Sequence, residues 1–222
     1  LIYIDQKTDL KFFVPNLLTY NKAKNLFFSE PETIEWINTF KSNTVFYDVG
    51  SNIGLYSLYC CKLNKNISIY SFEPSTNNLR VLSRNIYINN FYEKINIIPI
   101  PLSNDDGKFN LMKDNTFNEG GALNQYGVDY NFEGKKNILI NGNIYKILGF
   151  SLNYFINTKL IKKPDYIKFD VDGIEHLILE GSSFLKECKN LEILIEINDN
   201  FVEQKKAAFD LIKNYNFFLK KK

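Results

Sequence analysis

The eleven residues TVFYDVGSNIG, positions 44–54, constrain this chain more than any other stretch. Val45 to Val49 are mostly β-branched or aromatic and predict a buried strand. Asp48 lies near its end. Gly50, Ser51, Asn52, Ile53 and Gly54 follow, and an apolar helical run extends from Leu55 to Leu63. Strand, glycine turn and helix in that order make a nucleotide-type pocket. Glycine lets the backbone approach a ligand closely, and the helix start directs free N–H groups and partial positive charge at a carboxylate or phosphate.

The spacing separates the possible ligands. A dinucleotide fingerprint requires G-x-G-x-x-G. Here Gly50 and Gly54 are four apart, and Asn52 stands where a middle glycine would be. The next acidic strand end is Glu73, in ISIYSFEP, 25 residues after Asp48. Dinucleotide folds place a ribose-gripping carboxylate about 20 residues past their turn, so Glu73 suits a ribose diol. The two glycines alone are weak evidence. The set of strand, Asp48, Gly50, Gly54, helix, second strand and Glu73-Pro74 is specific.

These residues carry a family resemblance. DVGSNIGLYS, FEPSTNN, PLSNDDG and YIKFDVDGIE resemble the motifs of the FkbM-type methyltransferases, and FFSEPETIEWI is similar to a segment that precedes the first core strand in one branch of that family. The resemblance runs roughly from Asn16 to Asn198. It implies a class I methyltransferase fold: an α/β, Rossmann-like, mostly parallel sheet flanked by helices. It also implies S-adenosylmethionine as donor and methylation of oxygen, often on sugars or natural products. The residues so implied around the donor are Asp48, Gly50, Ser51, Asn52, Gly54, Glu73, Pro74 and Ser103. Glu30 and Thr33 start a leading helix that often lies beside the cofactor in such folds.

Open α/β sheets bind ligands at the carboxyl ends of their strands, and a hydroxyl acceptor needs a nearby group to take its proton. Asp170, directly after the apolar run 164–169, is therefore the first candidate for general base or acceptor ligand, and Glu175, one turn into the next helix, the second. The sequence departs from the family with Asp172 where Glu is usual, Ile174 where His is common, Asn153 where Asp is frequent and Asn198 where many members have His. Glu196 matches a family acid. His176, the single histidine, falls about 200° from Ile174 on its helix and is expected on the solvent side. No metal is assigned, although a carboxylate pair is able to hold a divalent ion.

Composition narrows the function classes. The chain has 222 residues, 45% apolar and 23% charged, with formal net charge +2. That is an ordinary globule without the concentrated basic face that nucleic-acid binding usually needs. The three cysteines, Cys60, Cys61 and Cys188, make neither a disulfide framework nor a zinc spacing, and a reducing cytoplasm is expected. No apolar run approaches the roughly 20 residues of a membrane span, and no signal peptide is visible. The first residue is Leu1, not Met, so residues can precede it.

Organisation follows in order. Residues 1–43 are expected as an extension, a hairpin turning at Gln6–Asp9 and a helix from Pro31, packed on a core of residues 44–222 with an insertion at about 104–150. Core strands are predicted at 67–72, 95–101, 164–171 and 191–197, with a sixth starting at 217–219. The irregular stretch 114–134 is read as part of the acceptor site, and Asn141-Gly142 as a hairpin turn. The expected function is an S-adenosylmethionine-dependent O-methyltransferase with a small-molecule or glycan acceptor. A nucleic-acid methyltransferase of the same fold and a non-catalytic binding module are the alternatives.

Overall fold

The computed structural model describes residues 1–63, 66–136 and 142–218. Its centre is a five-stranded sheet ordered β10-β9-β3-β4-β5: β3 (Thr44–Val49), β4 (Ile67–Phe72), β5 (Ile95–Ile98), β9 (Tyr166–Phe169) and β10 (Glu192–Ile195). All four pairings are parallel. The chain builds outward from β3 through β4 to β5, then returns to β3's other side for β9 and β10. The reversal falls between β3 and β9, where open α/β sheets leave a crevice at the strands' carboxyl ends.

Helices cover both faces. Alternation along β3 sends Phe46 into one core, with α3 (Leu55–Leu63), α4 (Thr76–Ile88) and α2 (Pro31–Ile37). Tyr47 and Val49 enter the other, with α5 (Leu152–Asn157), α6 (Glu175–Glu180) and α7 (Val202–Asn214). At the amino end β1 (Ile2–Ile4) and β2 (Lys11–Phe13) form an antiparallel pair, followed by α1 (Leu17–Lys24). This pair is bound to α4: Lys11 N donates to Asn89 Oδ1 at 2.9 Å and Phe13 N to Asn85 Oδ1 at 2.6 Å.

Between β5 and α5 the chain makes a second, antiparallel sheet, β7-β6-β8: β6 (Lys108–Asp114), β7 (Gln125–Tyr126) and β8 (Asn143–Gly149). The hairpin expected at Asn141-Gly142 involves residues 137–141, which lie outside the described residues; Asn143–Gly149 itself pairs with Lys108–Asp114.

Three expectations are corrected here. The third core strand stops at Ile98, short of Pro99 and Pro101, which have no N–H for a ladder. Phe217 and Phe218 are not in a strand: Phe217 N closes the end of α7 on Ile212 O at 3.1 Å, while Leu219 lies outside the described residues. His176 is half-buried, not solvent-facing, with its ring edge-on to Phe201 at 6.3 Å. Residues 201–202 open α7 across that side of α6, which periodicity within α6 alone could not reveal.

Candidate active site

The turn after β3 is held tightly. Gly50 N and Ser51 N both donate to Phe72 O at 3.0 Å, which ties the turn to the end of β4. Gly50 has φ +86°, and a Cβ on it would stand 1.7 Å from the Asp170 carbonyl oxygen. The glycine is thus required by the close approach of β3's end to β9's end, at the crevice itself. Gly50→Ala combines left-handed strain with a backbone clash and is expected to cost about 2–3 kcal/mol, read as a lowered midpoint in urea or thermal melts.

Glu73, at the end of β4, faces this turn. Its Oε2 accepts Asn52 N at 2.8 Å and its Oε1 accepts Ser75 N at 2.9 Å. Burial pushes its carboxyl up to about 7, against the pull of those N–H groups. The cleft beside it is walled by Phe72, Pro74, Leu102, Met112 and Tyr126 and closed at its far side by Asp170 and Asp172. Gly50, Asn52, Glu73 and Pro74 of the expected donor set line it.

Asp48, Ser51, Gly54 and Ser103 do not, and each has a physical reason. Asp48 is buried beneath the turn, where Oδ2 accepts Ser57 N at 3.1 Å and Ser57 Oγ at 2.6 Å. The Ser51 hydroxyl points back to Phe72 O at 3.4 Å. A Cβ on Gly54 would meet Leu82 Cδ1 at 2.5 Å, so that glycine serves helix packing. Ser103 Oγ accepts Asp105 N at 3.1 Å, and the preceding residues Ile100 to Leu102 line the cleft in its place.

The candidate acids also separate. Asp170 lines the cleft and is paired with Lys168, whose Nζ lies 2.5 Å from Asp170 Oδ2 and 3.2 Å from Glu30 Oε2. Burial opposes ionisation of Asp170, but the Lys168 ammonium and a hydrogen bond with Glu196 hold its carboxyl below the usual range. Glu175 does not face this cleft. Its Oε1 accepts Val171 N at 3.1 Å, its Oε2 accepts Gly173 N at 3.1 Å and the Gln204 amide, so it braces the turn after β9. Thr33 Oγ1 donates to Glu30 Oε2 at 2.8 Å and Glu30 pairs with Lys168, so neither lines the cleft.

Sequence reasoning missed Lys168. It is 3% exposed on β9, and β3's register sets Asp48 opposite both Lys168 and Ser71. A polar row therefore crosses three strands beneath α3, where the Tyr56 ring lies 4.9 Å from Lys168 Nζ. The signal was available: a lysine inside the apolar run YIKF must bury its charge or break the strand. The stretch 114–134, expected to contribute to the acceptor site, supplies a strap of residues 119–123 over the cleft, with Gly121 and Ala122 lining it. Gly121 O accepts Asn52 Nδ2 at 2.7 Å and Asn78 Nδ2 at 3.0 Å, and Leu123 N donates to Asp172 Oδ2 at 2.7 Å.

Buried acids give this fold a pH dependence. Burial raises Asp48 and Asp172 to about 6, and Glu73 and Glu175 to about 7. A carboxyl raised in the folded state holds protons that the unfolded chain has lost, so stability falls as pH rises through that window. His176, lowered by burial, acts oppositely but is one group. The thermal midpoint without ligand is expected to drop between pH 5 and 7.5, by at least about 5 °C at 2–4 °C per kcal/mol.

Comparison with known proteins places this geometry. The model of the methyltransferase FkbM domain matches residues 48–219. The chain belongs to that family. Methyltransferase sdnD of Sordaria araneosa is 27% identical over 159 residues, 63% of this chain. The chain spans 61% of the length of that relative. Two crystal structures share the fold. Precorrin-6y C5,15-methyltransferase of Geobacter metallireducens has a TM-score of 0.50 at 10% identity, covering 88% of this chain and 76% of its own. Methyltransferase FkbM of Methylobacillus flagellatus also has a TM-score of 0.50, at 14% identity, over 88% of this chain and 43% of its own. The class I methyltransferase fold expected from the sequence is the fold observed.

The family implies S-adenosylmethionine, and the FkbM-type cleft fits it. Glu73 retains lone pairs for a ribose diol, and the apolar walls suit an adenine. Asn52 Oδ1, buried and without a protein partner, offers an acceptor to a hydroxyl or ammonium. Among the described residues no group of three or more His, Cys, Asp or Glu is arranged to hold a metal, and no helix is long and apolar enough to cross a membrane.

Proposed function

We propose that this FkbM-type chain is an S-adenosylmethionine-dependent O-methyltransferase acting on a hydroxyl of a sugar, glycan or small natural product. The observation that carries the reading is the cleft at the sheet's reversal point, with Glu73 at one end and the Lys168-paired carboxylate of Asp170 at the other. The donor, when bound, supplies an electrophilic methyl carbon. The chain's own contribution is placement, which accounts for much of the rate in a reaction of this kind.

Glu73 and Asn52 hold the nucleoside and amino-acid portions. The strap 119–123 covers the turn and keeps water from it. Asp170 accepts the hydrogen bond of the incoming hydroxyl and aligns its lone pair. Lys168 keeps Asp170 anionic, so it first orients the hydroxyl and then receives its proton as the acceptor oxygen is methylated. Glu175, with both oxygens engaged by the turn, supports Asp170's position from behind.

Titration calorimetry with S-adenosylhomocysteine and a donor-consumption assay over sugars, nucleotide-sugars and small hydroxylated metabolites test the reading. Asp170→Asn is expected to keep S-adenosylhomocysteine affinity within about threefold and to lower turnover on any accepted hydroxyl about 100-fold. No binding of S-adenosylhomocysteine to the intact chain would remove the proposal. Turnover confined to RNA would replace it with the nucleic-acid alternative.

A further inference from the structure

Asp172 also lines a second cavity, at the carboxyl ends of β9 and β10. Asp172, Glu175, Glu196, Asp199 and Gln204 contribute to its wall, and none of the described residues lining it is Lys, Arg or His. Two of the acids are already satisfied. Glu175 is held by backbone N–H groups, and exposed Asp199 pairs with Lys205 at 2.7 Å. Asp172, with only its Oδ2 engaged, by Leu123 N at 2.7 Å, and Glu196 remain. Glu196 is hydrogen-bonded to Asp170, so this wall abuts the point where the acceptor oxygen is aligned.

Gln204 supplies an independent observation. It is 1% exposed, and its Nε2 is committed to Glu175, which leaves Oε1 buried with no partner. An unpartnered buried acceptor is costly unless a ligand donates to it. The Asp172 carboxylate, the Asp170–Glu196 pair that shares one proton and keeps a net negative charge, and an orphan carbonyl together ask for a donor-rich cation. We infer that the second cavity receives the ammonium group of a hydroxylated amine, so that the acceptor carries a positive charge beside the hydroxyl being methylated. This rests on the proposed function and narrows its substrate class.

The electrostatic setting agrees. Its hydrogen bond with Asp170 and then burial hold Glu196 up to about 8, so it carries the proton of that bond; burial and then Asp170's charge hold Asp172 up to about 6, and an entering ammonium favours release of those protons. The nearby ammonium groups are Lys168, occupied by Asp170 and Glu30, and Lys22, which acts on Asp170 and Asp172 from α1 without lining the cavity.

Glucosamine, N-acetylglucosamine and glucose are suitable probes, titrated by ligand-observed NMR with and without S-adenosylhomocysteine. Glucosamine is expected to bind at least about tenfold tighter than the two neutral sugars, since hydrogen bonds to charged groups exceed neutral ones by that order. Glu196→Gln should bring glucosamine to the level of glucose while S-adenosylhomocysteine affinity, which reports folding of the variant, is kept. Equal binding of glucosamine and N-acetylglucosamine to the unaltered chain overturns the inference, as does undiminished glucosamine binding by Glu196→Gln. Failure to bind S-adenosylhomocysteine overturns the donor assignment alone, because the three-sugar comparison is read without it.

Discussion

Glu73→Ala is expected to weaken S-adenosylhomocysteine binding by about 100-fold or more. The carboxylate does two things at once. It accepts Asn52 N and Ser75 N, which fixes the turn after β3 against the end of β4. It also presents its remaining lone pairs to the cleft it lines. Hydrogen bonds to a charged group are each worth about 1.5–3 kcal/mol, so losing two to a ribose diol removes at least about 3 kcal/mol, or two decades in affinity. The buried N–H groups left without an acceptor add to the cost and loosen the turn. Glu73→Gln separates these contributions. Its carbonyl can keep one N–H partner, but it has half the acceptor capacity, so its affinity should fall between wild type and Ala. Calorimetry on the three proteins measures this. An Ala variant that binds within threefold of wild type would show that Glu73 serves the turn only.

How much of this was legible in the sequence depended on how local each determinant is. The strand–turn–helix of residues 44–63, the acid at 73 and the strand before Asp170 all announce themselves within short windows, and the structure assembles them at one crevice. Which side chain faces the ligand was less legible. Asp48 and Glu73 are both acids near strand ends. Asp48 shares its side of the sheet with Phe46 and points under α3 to Ser57, whereas Glu73 comes one residue after β4 ends and faces the turn. Asp170 ranked ahead of Glu175 from its place directly after the strand, but that Glu175 serves the turn became visible only once the turn after β9 placed its N–H groups around it. The pairing of Lys108–Asp114 with Asn143–Gly149 joins residues too far apart for any local pattern, so the partner of the second strand was not legible. The strap's anchors on Asn52, Asn78 and Asp172 come from three separate parts of the chain and could not be read before folding.

Lys168→Met is expected to destabilise the protein by about 3–5 kcal/mol, the cost of removing one member of a buried ion pair and stranding its partner. The thermal midpoint should fall by roughly 6–20 °C at 2–4 °C per kcal/mol. Methionine fills much the same space, so packing loss is small and the penalty is electrostatic. Lys168 stands at the meeting point of Asp170, Glu30 and Asp48, and all three raise its affinity for a proton more than burial lowers it. Without the ammonium these acids repel one another in a site shielded by α3. The pH dependence distinguishes this from a simple cavity. In the wild type, Asp170's depressed carboxyl stabilises the fold above its ordinary value of 3.8, a contribution lost as pH falls. In Lys168→Met the same carboxyl is pushed up, so the variant regains stability by taking protons as pH falls. The gap between the two proteins should therefore be widest near pH 7.5 and shrink toward pH 4.5. Adding Asp170→Asn and Glu30→Gln to Lys168→Met removes two of the three stranded acids and should restore part of the loss. A gap constant across pH, with no recovery in the triple variant, would mean that Lys168 acts as a packed side chain and that the charged row beneath α3 does not hold the site in place.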